Sequence, residues 1–387
     1  MRKRLYPLLL VTLLLVQCSQ APLSGTIKTD PDWSSTLYLI DPGSFEALNT
    51  SFMGTVVDSA PIGTGGHFEF DVLPAKQEPQ LYELVIQKKD ERFPTQLEQD
   101  DPMIANYLPL IYRPGEHIQL TAEASRFQQS AEIDQPSPDN AAMLELRTVR
   151  LHAWEKHMTG FADHTEEALL AKEKAFNEYR QALMDFANTT DRLYPALVAI
   201  RWASPTGDYE RIPEFLYQQC QKWKATASDH PWVHQLCAKA SPDQLPVLVG
   251  NRIPDYQLPM LDGDTLGLHA LLIGKLNLLD LWASWCIPCR HENQEVLAPL
   301  WQEYRDHGLQ IIGYGLETDP NIWLNAVTKD GASWPQASHL QGDEAPLFEA
   351  LRIQTIPANF LIDHDGKVIA KNVHGEDLRK FVEAYLK

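Results

Sequence analysis

The rhythm of hydrophobic and polar positions changes three times along this chain. Arg2, Lys3 and Arg4 precede a leucine-rich apolar run over residues 5–16. From Gly25 to about Ala124, short apolar runs (TLYLI at 36–40, GHFEF at 66–70, LYELVI at 81–86) are punctuated by Pro, Gly and Asp. That pattern predicts strands closing into a sandwich or small barrel. Between about Pro136 and Gln244 apolar residues recur at spacings of three and four, most clearly over 142–157 and 165–187, which predicts amphipathic helices. Trp154, Phe176 and Met184 on these helices read as core positions, with a binding groove as the alternative.

Pro242, Pro246 and Gly250 punctuate the approach to RIPDYQL at 252–258, and a last domain boundary is placed near Gly250. Beyond it, a short strand and a turn at Asp262–Gly263 are predicted, then strands at 276–281, 309–315, 359–363 and 368–371. Helices are predicted after Cys286, at 321–328 and at 376–386. A β-α-β half followed by a β-β-α half implies an α/β domain. The expected organisation is therefore a leader at 1–17, a β-rich domain at 18–130, a helical segment at 131–249 and an α/β domain at 250–387.

Composition narrows the class. With 44% hydrophobic and 22% charged residues over 387 positions, the chain is globular and long enough for two or three domains. A formal charge of −19, with no basic block beyond the first four residues, excludes a nucleic-acid surface. Five cysteines are too few for a disulfide scaffold, so each is judged on its own.

The basic start and the short apolar run have the layout of a secretory signal and are too short to span a bilayer comfortably. The following LVQC at 15–18 resembles the lipobox of bacterial lipoproteins, although Gln17 replaces the usual small residue. The resemblance implies lipidation of Cys18, a membrane anchor and a periplasmic location on the cell envelope. Such a space is oxidising.

The stretch LDLWASWCIPCRHE at 279–292 carries the chemistry. An apolar strand runs into a turn, and Cys286 and Cys289 open a helix. A thiol at a helix start meets free N–H groups and the positive end of the dipole, which favours the thiolate and makes Cys286 a nucleophile. Cys289, one turn on, is placed to resolve the mixed disulfide. Pro288 is tolerated in the first turn because its missing N–H would have had no partner there. Ile287 and Pro288 lie between the thiols and tune them.

This stretch resembles the active-site segment of the TlpA/ResA-like branch of the thioredoxin family. The β-rich region, with Asp58, GHFEF and RPGEH at 113–117, resembles the N-terminal domain of Bacteroidetes-type lipoproteins that carry such domains. The resemblance implies a thioredoxin-like fold and a thiol–disulfide oxidoreductase that needs no cofactor beyond a redox-active Cys286–Cys289 disulfide. Asp280 occupies the place of the buried aspartate of thioredoxins. A buried carboxyl has a raised pKa and can take the proton of Cys289; a strand-end residue facing water is the alternative.

Glu292 matches a glutamate near the cysteines in ResA-like proteins, or simply complements the helix dipole. Trp285 matches the tryptophan bordering the substrate groove. Thr355, Ile356 and Pro357, followed by NFLID at 359–363, resemble the family's cis-proline loop, whose backbone pairs with substrate; a trans proline opening an edge strand is the alternative. Relatives have a proline where Gln294 stands, so a straighter active-site helix is expected.

Haem attachment would need His directly after Cys289, where Arg290 stands, and a structural zinc site would need a second close cysteine pair. No metal is expected. Cys220 and Cys237 either bridge a helical hairpin or remain two buried thiols. The expected partners are protein thiols or disulfides and an envelope redox partner. A reductase is favoured over an oxidase or isomerase, and a binding platform is the competing class.

Overall fold

The computed structural model describes residues 21–49, 53–73, 77–89, 100–160, 166–205, 207 and 209–387, with backbone alone for 166–170. The leader at 1–17 and Cys18 lie outside the described residues. Two compact units are present.

The first unit holds β1 (Leu23–Lys28), β2 (Trp33–Asp41), β3 (Thr55–Pro61), β4 (His67–Phe70), β5 (Gln80–Lys88), β6 (Tyr107–Tyr112), β7 (Ile118–Glu123), the short α1 (Phe127–Ser130) and β8 (Glu132–Ile133). They form two four-stranded sheets, ordered β4-β1-β7-β8 and β3-β2-β5-β6. Leu23, Ile27, Phe68, Phe70 and Leu120 from one sheet share a core with Leu37, Leu39, Leu84 and Leu110 from the other. Strands such as β7, alternating buried and exposed positions, bury one face and leave the other in water. The β-rich N-terminal region is thus a sandwich, one of the two expected forms.

The second unit contains most of helix α2 (Pro138–His157), then α3 (Glu166–Thr189), α4 (Leu193–Ala203), α5 (Pro213–Thr226) and α6 (Pro231–Lys239), followed by everything C-terminal to them. Prolines open α5 and α6 at positions where no N–H is needed, and the His230 ring accepts from Trp232 N–H at 3.1 Å to cap α6. A disulfide joins Cys220 on α5 to Cys237 on α6, settling those two cysteines as a bridge across the hairpin. Trp154 and Phe176 pack on Tyr179, 5.5 Å and 5.9 Å between centroids, so they belong to the packing between helices.

After these helices come β9 (Gln257–Pro259), β10 (Thr265–Gly267), α7 (Leu268–Leu271), β11 (Leu276–Trp282), α8 (Ile287–Glu292) and α9 (Ala298–Tyr304). Then follow β12 (Leu309–Gly315), α10 (Pro320–Lys329), β13 (Gln336–Ala337), α11 (Pro346–Leu351), β14 (Ala358–Asp363), β15 (Val368–Lys371) and α12 (Gly375–Leu386). Five of the strands form one sheet, β13-β12-β11-β14-β15. β11 runs parallel to β12 and antiparallel to β14, and β14 is antiparallel to β15. Every residue of β11 and β12 is buried, as expected of central strands covered on both faces. This is the predicted thioredoxin-like α/β fold.

One feature departs from the expected active-site helix. The segment after α8 is a π turn over Asn293–Leu297, which leads into α9 through Pro299. The straighter active-site helix expected from Gln294 is therefore corrected: the regular α-helical bonding is broken without a proline, by a π turn, a feature common at functional sites. The short strand and turn at Asp262–Gly263 expected ahead of β11 are present as β9, which pairs antiparallel with β10.

Candidate active site

β11 ends at Trp282, and the next four residues turn the chain into α8 with Cys286 as its N-cap. The Cys286 sulfur accepts from the N–H of Cys289 at 3.3 Å, and Cys286 O accepts from Arg290 N–H at 3.0 Å. The two cysteines are disulfide-bonded, with Cα atoms 5.3 Å apart. Both are buried, whereas the flanking Trp285 and Ile287 are 62% and 57% exposed. The disulfide is thus bordered by two exposed apolar side chains. A sulfur released at Cys286 would sit against the N–H groups of a helix start, where negative charge is favoured.

β14 brings the second loop to the same place. Leu281 of β11 pairs with Ala358 of β14, so Pro357, immediately before β14, lies beside the end of β11 from which the cysteine loop springs. The Ile356–Pro357 peptide is cis, as the family resemblance implied. Thr355 is exposed, and Ile356 and Pro357 are half-buried.

Asp280 pairs with Gly313 on one side and Asn359 on the other, in the middle of the sheet, and is 4% exposed. Burial pushes its pKa well above the ordinary carboxylate range, and the charge of Glu292 pushes it the same way. The alternative of a water-facing strand end is excluded. Glu292 accepts from Gly375 N–H at 3.0 Å, at the start of α12, and lies 3.8 Å from the His374 ring nitrogen. It ties α8 to α12 as well as acting on Asp280.

Residues the sequence did not single out brace the cysteine loop. Glu317, just past β12, accepts from both the backbone N–H and the hydroxyl of Ser284, the latter at 2.7 Å. Burial raises the pKa of Glu317, and its bonds to Ser284 act against that. Arg290 donates from Nη1 to Ser284 O at 3.1 Å and forms a two-pronged pair with Asp330, with Nη2 to Oδ1 at 2.6 Å. Gln294 donates to the same Asp330 oxygen at 2.6 Å. Glu317 was discoverable, because it follows the C-terminal end of a wholly buried parallel strand, where α/β sheets place their functional groups. Arg290 and Asp330, 40 residues apart, gave no such signal.

Among the described residues, no group of three or more His, Cys, Asp or Glu is placed to hold a metal ion. Nor is any helix among them long and apolar enough to cross a membrane.

Residues 248–386 match the Redoxin family model. The chain is similar to the thiol-disulfide oxidoreductase ResA of Bacillus anthracis, 29% identical over 145 residues, 38% of this chain and 80% of the relative. It is also similar to the thiol:disulfide interchange protein DsbE of Allochromatium vinosum, 26% identical over 137 residues, 35% and 72% of the two chains. A solved thiol-disulfide oxidoreductase from Bacteroides fragilis is 30% identical across 35% of this chain and 98% of its own, with a TM-score of 0.33.

Proposed function

We propose, on the premise that residues 248–386 form a TlpA/ResA-like thioredoxin-family domain and that the protein is a thiol–disulfide oxidoreductase, that it reduces protein disulfides in the cell envelope. The observation carrying this is the Cys286–Cys289 disulfide at a helix start, beside the loop of cis-Pro357.

In the reduced enzyme the Cys286 thiolate attacks one sulfur of a substrate disulfide. A Cys286–substrate bond forms, and the other substrate sulfur leaves as a thiolate. Cys289 gives up its proton and attacks Cys286, which releases the second substrate thiolate and leaves the Cys286–Cys289 disulfide. Two electrons have then passed to the substrate, and a dithiol partner in the envelope restores the enzyme. Asp280, a carboxyl with a raised pKa in the central strand, takes the Cys289 proton. Trp285, Ile287, Pro288 and the backbone of Thr355 and Ile356 receive the substrate chain. The redox-active group is this cysteine pair alone, with no further cofactor.

Export and anchoring rest on the sequence of residues 1–18. The Cys220–Cys237 disulfide suits an oxidising space. Incorporation of labelled fatty acid that disappears in Cys18→Ala tests the anchor.

The activity itself is tested by reduction of insulin with the full chain and a dithiol donor. Turnover is expected, and it should be lost in Cys286→Ser. Cys289→Ser should accumulate mixed disulfides. No turnover by the unaltered chain would leave only a binding platform, and undiminished turnover by Cys286→Ser would take the activity away from this cysteine pair. A redox potential near about −120 mV, that of a strong oxidant, would reverse the direction of electron flow.

A further inference from the structure

Within the second unit, one carboxylate of the helical segment reaches the loop that precedes cis-Pro357. Glu210 lies in a single 3-10 turn, Tyr209–Arg211, just before α5. Its Oε2 accepts from Gln354 N–H at 2.7 Å, and its Oε1 accepts from the Thr355 hydroxyl. Gln354 and Thr355 are three and two residues before Pro357. Both are exposed, and the backbone around them is not part of any strand. A loop of this kind samples many conformations unless something fixes it.

Further ties between the helical segment and the redox domain, among the described residues, fall elsewhere. Glu214 pairs with Lys371 at 2.7 Å, Lys371 donates to Val247 O at 2.9 Å, and Arg352 donates to Leu245 O at 3.2 Å. These hold the segment against β15 and the end of α11. Glu210 alone among these carboxylates grips the substrate loop. α3 of the helical segment also touches α8. A cleft of about 890 Å³ opens next to the grip, lined by Tyr209, Glu210 and Lys239 from the helical side and Phe348, Arg352 and Thr355 from the redox domain.

We propose that Glu210 is a positioning residue, through which the helical segment sets the cis-proline loop in the form that receives a polypeptide. The cleft beside it takes the substrate chain flanking the disulfide. This rests on the oxidoreductase reading above and adds to it: the helical segment determines affinity for protein disulfides without touching the sulfur chemistry. A substrate polypeptide needs the loop ordered before its backbone can pair there, and ordering that is already present need not be supplied by binding. A small aromatic disulfide that meets only the Cys286 sulfur needs no such order.

The test measures reduction of two disulfides by the full chain, insulin and 5,5′-dithiobis(2-nitrobenzoic acid), for the unaltered protein and for Glu210→Ala, Glu210→Gln, Thr355→Val and the double variant Glu210→Ala/Thr355→Val. Glu210→Ala should raise KM for insulin about tenfold, the worth of one charge-assisted hydrogen bond, with kcat little changed. Its rate with the small disulfide and the pH dependence of Cys286 alkylation should stay as in the unaltered chain. Glu210→Gln, which keeps one acceptor oxygen, should recover part of the loss. The double variant should be no worse than Glu210→Ala.

An unchanged insulin KM in Glu210→Ala overturns the proposal, as does an equal loss on both disulfides. If Glu210→Ala is misfolded by circular dichroism, Glu210→Gln decides alone. It must then raise the insulin KM selectively. Failure of the unaltered chain on both disulfides would instead sink the oxidoreductase reading, so the two failures are told apart.

Discussion

Glu317 and Ser284 are joined twice, through the backbone N–H and the hydroxyl of the serine, although 33 residues separate them in sequence. Ser284 stands two positions before Cys286, so this bond fixes the start of the cysteine loop to the end of β12. Glu317 is 3% exposed, and its charge is compensated by those bonds and by the nearby guanidinium of Arg290. Removing it leaves the Ser284 N–H, in a half-buried loop, without its partner. Glu317→Ala should destabilise the protein by about 1–3 kcal/mol, read as a fall in the urea midpoint at constant slope. Glu317→Gln should lose less, because the amide oxygen still accepts from the Ser284 N–H.

The Arg290–Asp330 pair makes a harsher case. Asp330 has no exposed side-chain surface and Arg290 has 22%, so the carboxylate depends on the guanidinium and on Gln294. Arg290→Met leaves a buried carboxylate with a single amide donor. The expected loss is about 3–5 kcal/mol in chemical denaturation. Asp330→Asn together with Arg290→Met should return part of that stability, since a neutral amide needs no counter-charge. A double variant as unstable as Arg290→Met would show that the pair matters for shape and not for charge.

Much of this architecture was legible beforehand, and the exceptions share a cause. β11 and β12 announced themselves as continuous apolar runs because they are buried on both faces, and Cys286, Cys289 and Pro357 carry short local signatures. The grip of Glu210 on Thr355 and the Arg290–Asp330 pair are contacts across 40 to 145 residues, invisible to any local pattern, whereas the Cys220–Cys237 bridge was one of two readings the sequence left open. The π turn at Asn293–Leu297 was missed for a different reason. It interrupts helical bonding without Pro or Gly, the residues on which helix breaks are read from sequence.

The helical hairpin offers a clean separation of stability from chemistry. Cys220 and Cys237 are 17 residues apart, and closing a loop of that length stabilises a fold by about 3 kcal/mol in the chain-entropy account. Cys220→Ala/Cys237→Ala should lower stability by about that amount in urea and leave the rate with a small disulfide unchanged. A large fall in that rate would mean that this second pair relays electrons to the Cys286–Cys289 pair, and that the two cannot be assigned to separate tasks.

Asp280 yields the prediction with the most demanding sign. Its pKa in the folded chain is raised by burial, and further by Glu292, above the value it has when unfolded. Between those two values the folded protein holds a proton that the unfolded chain has released, so stability falls as pH rises through that interval. Below the unfolded value both states are protonated and the group contributes no pH dependence. Asp280→Asn removes the titration while keeping size and hydrogen-bonding capacity. The variant should therefore match the unaltered protein in strongly acid solution and become progressively more stable than it as pH increases, measured by denaturation at a series of pH values with the cysteine pair held oxidised. On the proposed role of Asp280 as the base for Cys289, the same substitution should slow resolution of the mixed disulfide by about 10² in single-turnover experiments. Greater stability with slower exchange is the signature of a carboxyl kept buried for its chemistry. A variant that is less stable at neutral pH and exchanges at full speed would make Asp280 an ordinary packing residue of β11.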